Sequence, residues 1–280
     1  MNPQTIAFIG GGHMGRALIG GLIGNGRPAG SIRVGEPSEA ARLALQRDFG
    51  CAATPDNDAA VQGAAAVVVA VKPQEAARVV TALGPRLRSQ RPLVISVAAG
   101  IEIRSLESWC GATGTGVPIV RAMPNRPALV GAGVTGLCAS EQVSPADRAL
   151  AESILGSVGT VVWLRTERDI DIVTALSGSG PAYCFLLAEQ MMQAAVSLGL
   201  EPQAARILAV ETLHGAGVLA HSSSGDLARL REEVTSKGGT TAAALEVLAG
   251  ESGLGALVAR AMEAAARRSR ELAAQFGAGE

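Results

Sequence analysis

The residues that most clearly suggest chemistry form a glycine-rich turn near the start of the chain. Residues 10–15 read Gly-Gly-Gly-His-Met-Gly; they follow the apolar run Ile6–Ile9 and precede a helical pattern. In such a strand–turn–helix unit, Gly10 permits the tight turn, Gly12 lets the backbone approach a pyrophosphate, and Gly15 lets the helix pack on the sheet. The pattern predicts a bound dinucleotide. A plain glycine-rich turn is the alternative, since the chain contains 35 glycines.

A second candidate is the acidic residue Glu36, which follows the apolar run Ile32–Val34. A carboxylate at the end of the second strand accepts the ribose 2′-hydroxyl of NAD and repels the 2′-phosphate of NADP. The alternative is a solvated carboxylate near a helix start, where the helix dipole favours it. Arg33 is close in sequence and complicates the choice unless it faces away. The sequence leaves the choice between NADPH and NADH open.

A third candidate, Ala70-Val71-Lys72-Pro73, ends the apolar run Ala66–Val71. Ligands bind at the carboxyl ends of the strands of an open sheet, so this turn is expected to contact the cofactor. A lysine there suits a phosphate or a ribose, although a lysine that ends a strand and reaches solvent is the alternative.

The fourth candidate lies in the second half of the chain, where residues 234–241 read Val-Thr-Ser-Lys-Gly-Gly-Thr-Thr before the helical run Ala242–Leu248. Two glycines and three hydroxyl groups before a helix N-terminus can cradle a small carboxylate. The segment is too short and wrongly ordered for a phosphate-binding loop of the G-x-x-x-x-G-K-[ST] type. The alternative is an inter-helix turn that Thr240 or Thr241 caps.

These candidates need elements that position them, and the hydrophobic patterns predict those elements. Strands are predicted at Thr5–Ile9, Ile32–Val34, Ala66–Val71, Leu93–Val97, Ile119–Ala122, Val134–Cys138 and Thr160–Leu164. The helices between them are predicted at Met14–Ile23, Glu39–Phe49, Gln74–Leu87 and Pro145–Leu155, the last with Ser144 as its N-cap. Strands that alternate with helices predict a parallel sheet wound by right-handed crossovers.

Beyond Leu164 the strand signal ends. Helices are predicted at Ala182–Leu198, Pro202–Ala220, Ala242–Leu248 and Leu254–Phe276. The expected fold is therefore α/β: a Rossmann-type parallel-sheet domain at residues 1–164, followed by an all-α domain at residues 165–280. Small residues crowd the later helices, which suggests a packed bundle that two subunits could share.

Composition excludes several other classes of protein. The net charge of −1 and the aromatic content of 2% give no case for a nucleic-acid partner. No stretch is continuously apolar for long enough to span a bilayer, and no leader is evident, so a cytoplasmic protein without a membrane partner is expected. The cysteines, with no C-x-x-C pair, and the three scattered histidines predict no metal site.

Taken together, the motifs resemble those of the pyrroline-5-carboxylate reductase family over nearly the whole chain. The resemblance rests on residues 10–15, 70–73, 96–100 (Ser-Val-Ala-Ala-Gly), 121–125 (Arg-Ala-Met-Pro-Asn), 175–183 (Ala-Leu-Ser-Gly-Ser-Gly-Pro-Ala-Tyr) and 234–248. Three residues depart from the family pattern: Lys237 stands where proline is usual, Arg126 where threonine is common, and His13 where asparagine or glutamine is frequent. The lysine puts the rigidity of the substrate turn in doubt.

The resemblance implies reduction of 1-pyrroline-5-carboxylate to L-proline with NADPH or NADH, in a homodimer or higher homo-oligomer whose active site lies near the subunit interface. It implies that Thr241 is catalytic, because its hydroxyl faces the ring nitrogen. The substrate carboxylate and pocket would involve Ser236, Gly238, Gly239, Thr240 and, less directly, Glu167, for which a structural carboxylate at a helix start is the alternative. The cofactor would contact Gly10, Gly12, His13, Met14, Gly15, Glu36, Asn57, Ala70, Val71, Lys72, Pro73 and Ala98.

Two other functions compete with this one. A β-hydroxyacid dehydrogenase would need a lysine on the first long helix of the second domain, and Ala182–Leu198 contains none. A nucleotide sensor without turnover has no need of the substrate cradle that follows Val234. A reductase of a related cyclic imine stays open.

Overall fold

The computed structural model describes residues 4–111, 116–223 and 226–277. In that part of the chain, eight strands form one sheet in the order β3-β2-β1-β4-β5-β6-β7-β8. The strands are β1 (Ile6–Ile9), β2 (Ile32–Gly35), β3 (Ala52–Thr54), β4 (Ala66–Val69), β5 (Leu93–Ser96), β6 (Ile119–Met123), β7 (Gly133–Ala139) and β8 (Gly159–Trp163).

Helices connect and follow the strands. They are α1 (His13–Gly24), α2 (Glu39–Phe49), α3 (Asn57–Val61), α4 (Pro73–Gln90), α5 (Ile103–Trp109), α6 (Pro145–Leu155), α7 (Asp169–Val173), α8 (Gly180–Ser197), α9 (Pro202–Ser222), α10 (Leu227–Glu233), α11 (Thr240–Leu248) and α12 (Leu254–Gly277). A π-helical turn, Thr174–Gly178, joins α7 to α8.

The central strands are apolar on both faces because helices cover both sides of the sheet. All four residues of β1 and of β4 are buried. One side chain cluster includes Phe8, Leu18 and Ile95 on the α1 side. The other includes Ile9, Val80 and Leu106 on the α4 side. This core confirms the predicted α/β architecture and holds the carboxyl ends of β1 and β4 next to each other.

The sheet departs from the fully parallel prediction at one pair of strands. β6 and β7 are antiparallel, with Arg121 opposite Cys138. The connection between them is residues 124–132, which include the short 3-10 segment Arg126–Val130. A parallel crossover takes a dozen or more residues, so this short connection turns the strand back.

Five short elements were not predicted: β3, α3, α5, α7 and α10. Each has only three to seven residues, too few for a period of either 2 or 3.6 to be recognised. β3 is recognisable only through its parallel pairing with β2.

The chain divides into two compact units, Met1–Gly178 with Ala265–Glu280, and Ser179–Ala264. The first unit contains the sheet and also residues beyond 164, where the predicted all-α domain begins. These residues belong to it because Ile170 and Phe276 pack with the core on the α4 side. The predicted boundary marks the end of β8, and as a limit between domains it stays a prediction.

The second unit consists of helices, and α8 and α9 pack against each other within it. Its apolar side chains are largely uncovered within one chain: α8, α10 and α11 contain no buried residue. Within the stretch Asp169–Ser197, a window of 18 residues has a mean hydropathy of 1.3, so by length and composition alone this stretch could cross a membrane. The sequence expectation did not single it out, since Ser177, Ser179 and Glu189 interrupt the apolar run.

Candidate cofactor and substrate sites

The glycine turn has the geometry that a dinucleotide fold requires. Gly10 has a φ of +101°, and a Cβ there would lie 2.8 Å from the carbonyl oxygen of Ala70. A Cβ at Gly15 would lie 2.5 Å from the carbonyl oxygen of Gly10, so the first turn of α1 packs directly on the loop. At Gly12, the N-cap of α1, a Cβ would meet nothing within 4 Å. The backbone is therefore open to a ligand at Gly12 and closed at Gly10 and Gly15.

A cavity of about 420 Å³ begins at this turn. The predicted cofactor residues that line it are Gly10, Gly12, Glu36, Asn57, Ala70, Val71 and Lys72. They come from the ends of β1, β2 and β4 and from the start of α3, which the strand order β2-β1-β4 places side by side. This convergence at the carboxyl ends of parallel strands is where open α/β sheets bind ligands.

Glu36 is held firmly at the wall of this cavity. Its Oε2 accepts a hydrogen bond from the Gly11 N–H at 2.8 Å, and its Oε1 accepts one from the Ser38 N–H at 3.0 Å. Arg33 faces away: its Nη1 donates to the carbonyl oxygen of Gln62 at 2.7 Å. The arginine that complicated the sequence interpretation therefore lies outside this turn.

Asn57 reaches the same place through a capped helix. The Asp56 carboxylate accepts from the Asp58 N–H at 2.9 Å and so caps α3, whose first residue is Asn57. The Asn57 amide oxygen lies against Gly35, where any Cβ would collide with it. Glycine at the end of β2 therefore leaves room for this amide beside Glu36.

The remaining predicted cofactor residues do not line the cavity. His13 is exposed at the start of α1, and Met14 packs against the core. Ala98 is buried, with its N–H directed at the Ser96 hydroxyl oxygen at 3.4 Å. Pro73 begins α4 and lines a different, larger hollow of about 980 Å³, together with other residues of that helix and with Trp109 and Phe276. The larger hollow contains none of the turn glycines, so the smaller cavity is the candidate cofactor site.

The predicted substrate cradle lies in the helical unit. Gly238 has a φ of +70°, a conformation that favours glycine. The N–H of Gly239 donates to the carbonyl oxygen of Ser236 at 3.0 Å. A Cβ at Gly239 would collide with the Ser236 hydroxyl, which keeps that hydroxyl beside the turn. The segment is a compact, exposed turn whose geometry depends on both glycines.

Helix α11 begins directly after this turn. Gly239 is its N-cap and makes no side-chain capping bond, so neither threonine takes the capping position that the alternative interpretation gave it. Thr240 is exposed, and Thr241 is half-buried in the first turn. The backbone N–H groups of a first helical turn have no partner within the helix. They are available to an anion, and the helix dipole favours one there.

Glu167 forms hydrogen bonds with other groups of the protein. Its Oε1 accepts from the Arg121 Nη1 at 2.8 Å and from the Ile103 N–H at 2.7 Å. Arg121 is 5% exposed within the strand β6, whereas Glu167 is 30% exposed. The pair neutralises a guanidinium inside the sheet domain, and it favours the structural interpretation of Glu167.

The roles of Arg121 and Asn125 were not predicted from the sequence. Asn125 is buried; its Nδ2 donates to the carbonyl oxygen of Ser177 at 3.0 Å, and its Oδ1 accepts from the Val134 N–H at 2.9 Å. It therefore fixes the connection after β6 against the π-helical turn. The sequence did contain a signal for Arg121, which is a charged residue inside an apolar strand run. Such a residue indicates a charged partner nearby, because a buried charge needs one.

Burial shifts the pKa of several groups outside the cofactor cavity. Desolvation raises the pKa of Cys110 to about 11. Desolvation, with a further contribution from the charges of Glu167 and Glu141, raises the pKa of Glu107. Within residues 4–111, 116–223 and 226–277, no group of three His, Cys, Asp or Glu side chains is placed to hold a metal ion.

Comparison with known proteins gives a consistent result. A family model described as pyrroline-5-carboxylate reductase dimerisation matches residues 167–272, and one described as NADP oxidoreductase, coenzyme F420-dependent, matches residues 5–100. The chain is 45% identical to the pyrroline-5-carboxylate reductase of Pseudomonas aeruginosa, over 99% of this chain and 100% of that protein. It is 42% identical to that of Vibrio alginolyticus, with the same coverage.

Solved structures give the same answer. The pyrroline-5-carboxylate reductase of Coxiella burnetii has a TM-score of 0.92 at 41% identity, covering 97% of this chain and 99% of that one. The Plasmodium falciparum enzyme, solved with NADP bound, has a TM-score of 0.82 at 30% identity, covering 98% of this chain and 99% of that one.

Proposed function

The chain belongs to the pyrroline-5-carboxylate reductase family. On that premise we propose which of its residues act when the enzyme reduces 1-pyrroline-5-carboxylate to L-proline with NADPH or NADH. The observation that carries the proposal is the pair of sites described above. One is the cavity at Gly10 and Gly12, which suits a dinucleotide. The other is the turn Ser236–Thr241, which suits a small carboxylate.

The cofactor, when bound, supplies a hydride. The Gly12 backbone and the N-terminus of α1 hold a pyrophosphate, since their N–H groups and partial positive charge face the open side of the turn. Lys72 lines the same cavity and is exposed, which suits a cation beside a phosphate or ribose. These groups orient the donor without taking part in proton transfer.

The substrate turn holds the carboxylate of the cyclic imine. We assign this role to the N–H groups of Thr240 and Thr241 and to the Ser236 hydroxyl. Gly238 provides the left-handed backbone, and Gly239, whose own N–H donates to the Ser236 carbonyl oxygen, lets the Ser236 hydroxyl approach the turn. The protonated imine is already an electrophile, so catalysis consists mainly of placing its carbon against the hydride donor. The Thr241 hydroxyl hydrogen-bonds the ring nitrogen and orients it.

Glu167 is left out of this set. Its Oε1 accepts from Arg121 and from Ile103, which gives the carboxylate a structural role without a substrate.

The family's dimerisation model supports a homo-oligomer. We propose in addition that the active site lies near the subunit interface, because the helical unit that contains the substrate turn leaves Phe185, Leu208 and Val247 exposed within one chain. A cytoplasmic location, and the absence of nucleic-acid and membrane partners, remain predictions from composition. Sedimentation that shows only monomer at micromolar concentration would contradict the oligomer.

The role of Thr241 is tested by substitution. Thr241→Ala is expected to lower kcat/KM for 1-pyrroline-5-carboxylate by about 10²-fold, the usual contribution of a positioned hydroxyl in such a step. The Kd for the cofactor should stay within about twofold, because the cofactor residues lie on other elements.

Thr240→Ala is the matched control, since it removes the neighbouring hydroxyl and keeps both N–H groups. Thr241→Ser should restore most of the activity. Equal kcat/KM for Thr241→Ala and wild type refutes the role. Tight nucleotide binding with no oxidation of NADH or NADPH on addition of the imine favours the sensor instead.

A further inference from the structure

We propose that Glu36 makes this enzyme prefer NADH to NADPH, and this inference rests on the proposed function of the cavity that Glu36 lines. The first step is position. Glu36 shares the cavity with Gly10 and Gly12, and it lies beside Asn57 at the end of β2. The end of the second strand of a Rossmann-type fold is where the adenosine ribose binds.

The second step is acceptor capacity. A carboxylate oxygen has two lone pairs. Oε2 uses one of them for the Gly11 N–H and Oε1 uses one for the Ser38 N–H, so each oxygen keeps one acceptor site. Two remaining sites on one rigid carboxylate match the 2′- and 3′-hydroxyl donors of an unmodified ribose. A 2′-phosphate has no donor for them and brings a like charge of about −1.5 to −2.

The third step is rigidity. A carboxylate on a free surface could rotate away and admit a phosphate. Here rotation would leave the N–H groups of Gly11 and Ser38 without their acceptor. Space is also limited, because a Cβ at Gly11 would lie 2.7 Å from the Leu45 Cδ1 and 3.3 Å from the Glu36 Oε2. The position of the negative charge is thus set by the backbone of the glycine turn itself.

The fourth step concerns the cations that could reverse this preference. The Arg33 guanidinium donates to Gln62. Arg78 lines the cavity, but it is paired there with Glu75, which lines the cavity as well, so the pair brings no net positive charge. Lys72 follows β4, which is separated from β2 by β1. The Arg42 Nη1 donates to the carbonyl oxygens of Glu36 at 2.9 Å and of Pro37 at 2.7 Å. Arg42 thus supports the backbone of the loop that carries the carboxylate.

The test is direct binding, measured by isothermal titration calorimetry on the full chain without substrate. NADH is expected to bind at least about tenfold more tightly than NADPH, since a like charge held against a phosphate costs at least that much. Glu36→Gln keeps the shape and the acceptor for Gly11 but removes the charge. It should bring the ratio of the two Kd values to within about threefold of unity, mainly through tighter binding of NADPH.

Glu39→Gln is the matched control. Glu39 is an exposed carboxylate three residues further along, at the start of α2, and it does not line the cavity. Its variant should keep the wild-type ratio. A second variant, Arg42→Met, tests the competing assignment, in which Arg42 binds the 2′-phosphate of NADPH. If wild type prefers NADPH and Arg42→Met removes that preference, Arg42 rather than Glu36 determines the choice of cofactor.

Failure of the inference and failure of the function are distinguishable. Wild-type Kd values that are equal, or that favour NADPH, overturn the assignment of Glu36, as does an unchanged ratio in Glu36→Gln. Either result leaves the reductase activity standing if the imine is reduced. Conversely, the expected ratio of Kd values without oxidation of NADH on addition of 1-pyrroline-5-carboxylate refutes the function and leaves the assignment of Glu36 intact.

Discussion

The ion pair between Arg121 and Glu167 provides the sharpest test of structure against sequence resemblance, because the two assign Glu167 different roles. The resemblance makes Glu167 a substrate-pocket residue. The structure makes it the counter-ion of a guanidinium that is 5% exposed within the sheet. Glu167→Gln removes the charge, keeps the size of the side chain and leaves an amide oxygen for the Ile103 N–H.

The expected loss of stability follows from how deeply the Arg121 and Glu167 side chains are buried. Breaking a fully buried ion pair costs about 3–5 kcal/mol, because the remaining charge has no partner. Glu167 is 30% exposed, so water reaches part of the site, and we expect a loss of about 2–3 kcal/mol in the free energy of unfolding. For a chain of this size that corresponds to a fall in Tm of about 4–10 °C.

The chain offers a matched control. Arg268 and Glu271 form a pair with the same 2.8 Å separation between Nη1 and a carboxylate oxygen, but their side chains are 60% and 50% exposed. Glu271→Gln should therefore cost only about 0.3–0.5 kcal/mol, as exposed pairs within one helix do. The double variant Arg121→Leu with Glu167→Leu should be more stable than Glu167→Leu alone, since no charge is then left without a counter-ion.

The assay is thermal unfolding followed by circular dichroism at one fixed protomer concentration, because oligomerisation makes Tm depend on concentration. Steady-state kinetics on the same samples give KM for the imine. If Glu167→Gln unfolds within 2 °C of wild type and raises KM about tenfold, the structural account is wrong and Glu167 is a substrate residue.

Three further outcomes are expected. Gly12→Ala should keep the wild-type Tm, since a Cβ there meets open space, but it should weaken cofactor binding at least about tenfold by titration. Gly15→Ala should instead lower Tm, because its Cβ would collide with the Gly10 carbonyl oxygen. A lower Tm for Gly12→Ala together with an unchanged Tm for Gly15→Ala would contradict the geometry. Burial raises the pKa of Glu107, so its charged form destabilises the fold above that pKa. Glu107→Gln should therefore raise Tm at neutral pH, and the difference in Tm from wild type should shrink as pH falls through the raised pKa. A difference in Tm that does not change with pH would count against burial as the cause. Cys110, whose pKa is raised to about 11, should resist a thiol reagent at pH 8 in the native enzyme and react in denaturant, and rapid native labelling would show that it is not buried.

The parts of the fold that follow from local pattern were predictable. The helix α6 begins as expected, with Ser144 and Asp147 forming a reciprocal cap around Pro145. Gly10, Gly12 and Glu36 line one cavity because a strand, a turn and a helix specify the cofactor edge within about thirty residues. Such information is contained in neighbouring positions, so a single sequence reveals it.

Pairings between distant residues were not predictable. Arg121 and Glu167 are 46 positions apart, and only the fold brings them together. β3 has the residues Ala-Ala-Thr, which have no period to recognise, and it forms because β2 offers a free edge. The contacts of Glu36 depend on Gly11, 25 positions earlier, so sequence could place the carboxylate near the ribose but not show that it is immobile.

The end of the chain has a consequence for the order in which this enzyme acquires its structure. The second half of α12 belongs to the sheet-containing unit: the Ser269 hydroxyl donates to Asp171 at 2.6 Å, and Ala273 is buried. A Cβ at Gly100 would touch the backbone of Leu272, about 170 positions later. On the ribosome, the sheet can pair long before these residues emerge. The sheet-containing unit is therefore completed only after residues 179–264 have been synthesised, and the packing of α12 against the sheet domain is a late step in its folding.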